Sequence, residues 1–138
     1  MSDRVFLDTN VLVYADDLDA GSKRDVARSI VERAVRTRSG VLSTQVLQEY
    51  FVTATRKLGV AAEDAQRKVE LLGSLEVVRI EVPTILGAIE LHRLYGFSLR
   101  DSLIVECAAV AGCPRLLTED LHHGQQVRRL TIENPFVD

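Results

Sequence analysis

A continuous apolar run that stops abruptly marks the first strand of the predicted fold. Residues 5–7 are all apolar, a pattern typical of a strand covered on both faces, as in parallel sheets. Asp8, Thr9 and Asn10 follow directly and mark the end of the strand. Ligands of open α/β sheets bind beyond the carboxyl ends of the strands. Asp8 is therefore either a helix cap or the first residue of a functional site.

Short strand patterns alternate with helical patterns along the rest of the chain. The further strands are predicted at 41–43, 75–82, 115–118 and 130–132. The helices are predicted at 11–15, 22–38, 45–58, 62–72, 83–95 and 98–111. This alternation predicts an α/β fold, a three-layer α/β/α sandwich with a central, mainly parallel sheet. We expect residues 1–138 to form a single domain.

Composition excludes several classes of protein. No apolar run reaches the roughly 18 residues of a membrane span. The first residues lack the pattern of a secretory signal, and Cys107 and Cys113 suit reduced core thiols, so we expect a cytoplasmic protein. The net charge of −3 argues against nonspecific coating of nucleic acid but leaves a nuclease possible.

Acidic residues follow several predicted strands or begin the helices after them. These acids are Asp8, Glu49, Asp101, Glu119 and Asp120. Such positions share one edge of a parallel sheet, so their side chains can converge. Carboxylates gathered in one cleft repel each other, and a hard cation such as Mg²⁺ relieves that repulsion. Because each acid also suits an ordinary cap, turn or surface position, the residues alone leave both interpretations open.

The histidines and cysteines argue against a zinc site. None of His92, His122 and His123 stands at zinc-ligand spacing to a cysteine. If the acids hold a metal, Mg²⁺ fits their oxygen chemistry and would activate a water for attack on phosphorus.

An ordered set of short motifs resembles the PIN-domain ribonucleases, and among them the VapC-type toxins of toxin–antitoxin pairs. The matching stretches are, in chain order, FLDTNVLVYA (6–15), STQVLQEYF (43–51), LRDSLIV (99–105) and LTEDLHHGQ (117–125). Each stretch is short, but together they span nearly the whole chain in the family's order.

The resemblance implies a PIN-like fold and assigns roles to individual residues. The catalytic and metal-binding acids that it implies, for Mg²⁺ or Mn²⁺, are Asp8, Glu49, Asp101 and Asp120. The supporting polar residues that it implies are Thr9, Asn10, Thr118 and Glu119. Which of Glu119 and Asp120 is the fourth acid stays open at this point.

The resemblance also implies an activity and partners. The activity would be endonucleolytic cleavage of RNA by a metal-activated water rather than by the RNA 2′-hydroxyl. The partner would be a small antitoxin protein that covers the active site, and family members usually form homodimers. Arg100, next to Asp101, is the residue that we expect to contact RNA phosphate.

Other functions compete with this interpretation. A haloacid-dehalogenase-like phosphatase also begins with a strand that ends in Asp, but Asn10 stands where that family has a second Asp. A receiver-like signalling module needs an Asp after the third strand, where this chain has Pro83 and Thr84. A PIN-like module that binds a partner without catalysis is the third alternative.

Overall fold

A central sheet organises the part of the chain that the computed structural model describes, residues 3–137. The six strands of that part are β1 (Val5–Leu7), β2 (Gly40–Ser43), β3 (Glu76–Val78), β4 (Arg115–Leu117), β5 (Gln126–Val127) and β6 (Leu130–Glu133). Their order is β3-β2-β1-β4-β6-β5, and every neighbouring pair is parallel except β5 and β6. The predicted mainly parallel α/β fold is therefore confirmed.

Helices connect the parallel strands. Within residues 3–137 they are α1 (Thr9–Asp16), α2 (Ser22–Arg36), α3 (Thr44–Arg56), α4 (Ala62–Leu72), α5 (Val82–Tyr95) and α6 (Leu99–Val110). Helix α1 packs against α2 and α3, while α5 packs against α6, which also contacts β2 and β4. None of the helices in this described part has both the length and the hydropathy to cross a membrane.

Strand β1 lies where the strand order changes direction. Val5 pairs with Gly40 of β2 on one side and with Arg115 of β4 on the other. All three residues of β1 are buried, as expected for a strand covered on both faces. A crevice forms beyond the carboxyl ends of strands at such a switch point, and this is where open α/β sheets bind ligands.

Two predicted boundaries were wrong. The alternating stretch 75–82 predicted one long strand, but β3 ends at Val78 and α5 begins at Val82. Pro83 fixes a helical φ in the first turn of α5, and the Thr84 hydroxyl accepts a hydrogen bond from the Glu81 backbone N–H. Local helix-start signals therefore outweigh the β-branched pattern.

The sequence also indicates Ser22 and Thr44 as helix caps, but each lies inside its helix in the structure. Ser22 is the first residue of α2 rather than its cap, because Gly21 occupies the cap position without a side-chain hydrogen bond. Ser43, not Thr44, caps α3, and its hydroxyl accepts from the Val46 N–H at 3.3 Å. Each helix therefore begins at the residue that the sequence indicates as its cap.

Helix α6 is largely buried, as its sequence indicates, because only Glu106 is charged from Leu103 to Ala111. Its buried residues include Ile104, Val105 and Cys107. Burial raises the pKa of the Cys107 thiol to about 11. Cys107 and Cys113 are both free and buried, which agrees with the predicted core thiols.

Candidate functional site

Asp8 acts as a helix cap and belongs to a buried polar cluster at the carboxyl end of β1. Its side chain is 1% exposed and accepts a hydrogen bond from the Thr9 backbone N–H at 2.6 Å, which caps α1. Its other oxygen accepts from the Thr118 hydroxyl at 2.7 Å. Thr118 directly follows β4, so the neighbouring strand fixes the orientation of the Asp8 carboxylate.

Glu49 reaches the same cluster from helix α3. It lies on the second turn of that helix, which follows β2 directly. The Thr9 hydroxyl donates to Glu49 Oε1 at 2.6 Å. Gln45, one helical turn earlier, donates through Nε2 to Glu49 Oε2 at 3.3 Å. These contacts join the second strand–helix unit of the chain to the first.

Asp101 and Asp120 complete the group of acids. Asp101 lies in the first turn of α6, where its backbone N–H donates to the capping hydroxyl of Ser98 at 3.0 Å. The backbone N–H of Asp120 donates to Thr118 Oγ1 at 3.1 Å, and Asn10 Nδ2 donates to Asp120 Oδ2 at 3.0 Å. Four distant segments of the chain thus bring carboxylates to one edge of the sheet.

The guanidinium of Arg100 lies between these carboxylates. Its Nη2 donates to Asp8 Oδ1 at 2.8 Å and to Glu49 Oε1 at 2.7 Å. Its Nη1 donates to Asp101 Oδ1 at 2.9 Å and lies 3.6 Å from Asp120 Oδ2. We call Asp8, Glu49, Asp101 and Asp120, together with Arg100, the acidic cluster. When its acids are ionised, four negative charges face one positive charge.

This charge imbalance accompanies pKa shifts of opposite sign in two of the acids, Glu49 and Asp120. Burial favours the neutral form of Glu49, but hydrogen bonds from Arg100 and Thr9 outweigh it and hold the pKa of Glu49 below its ordinary value. The pKa of Asp120 is raised, because burial and the negative charge of Asp8 outweigh the attraction of Arg100. One arginine thus stabilises the nearest carboxylates and leaves Asp120 undercompensated.

Glu119 lies outside this group of contacts. Its carboxylate accepts a hydrogen bond from the Tyr14 hydroxyl and another, at 2.9 Å, from Lys23 Nζ. Lys23 also lies 5.0 Å from the centre of the Tyr14 ring, in cation–π geometry. Of the two adjacent acids, Asp120 is therefore the one that faces Arg100, while Glu119 ties α1 and α2 to the end of β4.

Sequence reasoning missed three contributors to the site. Gln45 was not predicted, although its position four residues before Glu49 on one helix face is a signal that could have identified it. Tyr14 and Lys23, which hold Glu119, leave no comparable pattern in the sequence. Arg100 was predicted to contact RNA phosphate, and in the structure its guanidinium contacts carboxylates.

A cavity of about 610 Å³ opens beside the acidic cluster. The residues that line it include Glu49, Arg100 and Asp120 of the cluster, and also Thr53 and Lys57 at the end of α3. A ligand in this cavity would therefore reach both the carboxylates and a lysine.

The donor chemistry of the cluster fits a hard divalent cation. Within residues 3–137, no three Asp, Glu, His or Cys side chains stand together as metal ligands. The Arg100 guanidinium lies between the carboxylates of Asp8, Glu49 and Asp101. All four acids nevertheless offer oxygen, the donor that Mg²⁺ and Mn²⁺ prefer. In the same described part, the buried oxygens Asn10 Oδ1 and Gln45 Oε1 have no hydrogen-bond partner. Displacement of one guanidinium would leave a site rich in oxygen ligands.

Comparison with solved structures shows the same fold in chains of toxin–antitoxin systems. One is from a toxin–antitoxin complex of Klebsiella pneumoniae, with a TM-score of 0.67 and 19% identity over 96% of this chain and 98% of that chain. Another is VapC20 of Mycobacterium tuberculosis, described as a sarcin-ricin loop cleaving toxin, with a TM-score of 0.65 and 17% identity over 81% and 86%. A third is from VapBC2 of Rickettsia felis bound to a promoter DNA fragment, with a TM-score of 0.64 and 22% identity over 94% and 97%.

The solved structures share too little sequence identity with this chain to assign a protein family. A match to the sequence model of a family supplies that assignment. Curated proteins show no match to this sequence. The model of the PIN domain matches residues 5–127, which include all the acids of the cluster. The chain therefore belongs to the PIN-domain family.

Proposed function

We propose that this protein is an endoribonuclease that depends on Mg²⁺ or Mn²⁺ and is the toxin of a toxin–antitoxin pair. The observation that carries the proposal is the convergence of Asp8, Glu49, Asp101 and Asp120 around a single cation. A structural ion pair needs one acid for one base. An excess of carboxylates around one base is expected instead where a protein binds a multivalent cation.

The acids of the cluster would hold the metal, and their neighbours would orient them. Bound there, Mg²⁺ would activate a water and offset the charge that develops on the scissile phosphate. Thr118 and the Thr9 backbone fix the carboxylate of Asp8, while the Thr9 hydroxyl and Gln45 fix that of Glu49. Asn10 holds Asp120 in the same way. Such fixed orientation prepares ligands for the metal before it binds.

The cavity beside the cluster supports RNA as the substrate. Lys57 lines it and offers a positive charge to a phosphate some distance from the acids. Arg100 would contact phosphate once its guanidinium leaves the carboxylates. The likeness to chains of toxin–antitoxin complexes supports a small antitoxin as the partner, which would cover this cavity in a cytoplasmic complex. We propose a homodimer as the form of the toxin.

The decisive experiment is cleavage of total cellular RNA by purified protein with Mg²⁺, with Mn²⁺ and with EDTA. We expect discrete fragments with either metal and none with EDTA. Asp8→Asn should lower the cleavage rate by about a hundredfold or more while the circular dichroism spectrum is retained. The matched control is Asp64→Asn, because Asp64 is an exposed acid that also contacts an arginine, Arg67 at 2.9 Å.

Other outcomes would point away from this function. Equal cleavage by wild type and Asp8→Asn would indicate a contaminating nuclease or another site. No cleavage together with no rise in melting temperature at millimolar Mg²⁺ or Mn²⁺ would favour a PIN-like module that binds without catalysis. Turnover of a small phosphate ester would favour the phosphatase alternative. The match to the PIN-domain family does not support that alternative.

A further inference from the structure

The cation in the acidic cluster comes from the same helical turn as one of its acids. Arg100 and Asp101 are consecutive residues at the start of α6, and the Arg100 carbonyl accepts from Gln45 Nε2 at 3.3 Å. Its guanidinium donates to Asp8, Glu49 and Asp101. The backbone of Arg100 is therefore held independently of its charged group.

We propose that Arg100 is the resident counter-ion of the acidic cluster, which a divalent cation must displace from the carboxylates in order to bind. The inference rests on the proposed function, since it assumes that the cluster binds a metal. The inference gives Arg100 two effects: it lowers the affinity of the cluster for metal, and it stabilises the metal-free protein. The chain would then exchange one internal cation for an external one.

Electrostatics explains why the metal-free cluster needs such a group. Asp8 is almost completely buried, and Glu49 and Asp101 are 30% and 21% exposed, so water screens their mutual repulsion poorly. A guanidinium presents several N–H donors in one plane and can satisfy several carboxylates at once. Loss of that group would leave the acids uncompensated, at a cost in folding stability.

The geometry also allows the guanidinium to leave. The Arg100 side chain is 34% exposed and lines the cavity beside the cluster. Its contacts with Asp8, Glu49 and Asp101 use the oxygens that would bind a metal, so the two cations compete directly. Since Gln45 holds the Arg100 carbonyl, the side chain can turn into the cavity without unwinding α6.

The first test compares Arg100→Gln with wild type and with the control Lys57→Gln. Lys57 lines the same cavity, so its replacement removes an equal charge outside the cluster. We expect Arg100→Gln to bind Mn²⁺ about tenfold more tightly or better, measured as free Mn²⁺ by electron paramagnetic resonance. It should also melt at a lower temperature than wild type in EDTA, and saturating Mn²⁺ should close most of that gap. In Mn²⁺ affinity and in melting temperature, Lys57→Gln should match wild type.

The second test needs no variant and remains valid if Arg100→Gln does not fold. In wild-type protein, the Nε–H of Arg100 donates to Glu49 Oε2 at 3.2 Å and should give a distinct NMR signal. Titration with Mg²⁺ should shift that signal or abolish it by exchange with water. The signals of Arg115 and Arg128, which pair with Glu133 and Glu106, should stay unchanged.

The outcomes separate this inference from the proposed function. Metal binding with equal or weaker affinity in Arg100→Gln, or an unchanged Arg100 signal in metal-saturated wild type, would overturn the inference and leave the metal-dependent nuclease intact. Absence of metal binding in both proteins would overturn both. Tighter binding in Arg100→Gln would support the exchange of cations whatever the RNA substrate proves to be.

Discussion

Helix α6 takes part in two sets of contacts between acids and arginines, and they differ in charge balance. In its first turn, Arg100 is shared by the four acids of the acidic cluster. In its second turn, Glu106 is 9% exposed and pairs with a single partner, Arg128 Nη1, at 2.6 Å. The first arrangement leaves an excess of negative charge and the second leaves none.

Under the proposed function, this difference in charge balance distinguishes a metal site from an ion pair that only stabilises the fold. A balanced ion pair satisfies its own charges, and its removal affects packing or stability. An unbalanced group is less stable by itself, and under the proposed function an added cation supplies the missing charge. Burial alone does not distinguish Asp8, a proposed metal ligand, from Glu106, because both are buried.

The largest difference that we expect is in RNA cleavage. Asp101→Asn should reduce the cleavage rate by about a hundredfold or more, because it removes a charged ligand from the acidic cluster. Glu106→Gln, a change of the same kind on the same helix, should retain the rate. Both are measured with metal present, and circular dichroism checks that each variant is folded. Equal losses in both variants would remove the functional distinction between the two contacts.

The next largest effect that we expect is a loss of folding stability where α5 packs closely against Glu106. Gly87 of α5 lies against the Glu106 carboxylate, and an added methyl group would overlap it. Gly87→Ala should therefore lower the free energy of unfolding by about 1 kcal/mol, because displacement of the paired Glu106 carboxylate outweighs the roughly 1 kcal/mol that Ala gains over Gly inside a helix. Urea unfolding measures this loss, and Mn²⁺ affinity should not change.

A double variant checks the cause of that loss. If Gly87→Ala acts by displacing the Glu106 carboxylate, its cost should shrink in a Glu106→Ala background, where the methyl group has room. Additive losses in the double variant would place the strain elsewhere in the α5–α6 contact. A change in Mn²⁺ affinity would show that the two regions of α6 are coupled.

The sequence predicts the sheet and the acidic edge better than it predicts the ends of the elements. Strand β1 is recognisable because both of its faces are buried, so its residues are apolar without alternation. Strand β5 was missed, since its hairpin to β6 turns through Arg128 and Arg129. Arg128 has a positive φ of 56°, a conformation for which Gly or Asn is the usual signal.

The sequence predicts the four acids of the acidic cluster, but it does not predict that Arg100 contacts them. The acids lie where strands end, and the topology of a parallel sheet brings such positions together. The contacts of Arg100 depend on which side-chain conformation it adopts, and its adjacency to Asp101 does not specify one. The sequence likewise does not specify the contacts of Glu119 and Asp120. These consecutive residues follow β4, and their side chains contact different partners, Tyr14 and Asn10.

The smallest effect that we expect is a gain in stability at the acidic cluster. The pKa of Asp120 is raised in the folded protein by burial and by the charge of Asp8. Ionised Asp120 therefore destabilises the fold, and this cost appears as the pH rises above the ordinary carboxyl value of 3.8. In EDTA at pH 7, Asp120→Asn should be more stable than wild type by about 0.5 kcal/mol, a small value because the Asp120 side chain is 46% exposed.

The pH dependence and a matched control test that explanation. The gain from Asp120→Asn should disappear below the ordinary carboxyl pKa, where Asp120 is protonated in both the folded and the unfolded protein. Asp64→Asn, which removes an exposed acid paired with Arg67, should show no gain at any pH. Addition of Mg²⁺ should reverse the order, because the bound cation stabilises wild type more than a variant that lacks one of its ligands. A loss of stability in EDTA at pH 7 would mean that Arg100 already balances the cluster, and the contrast with Glu106 would then rest on catalysis alone.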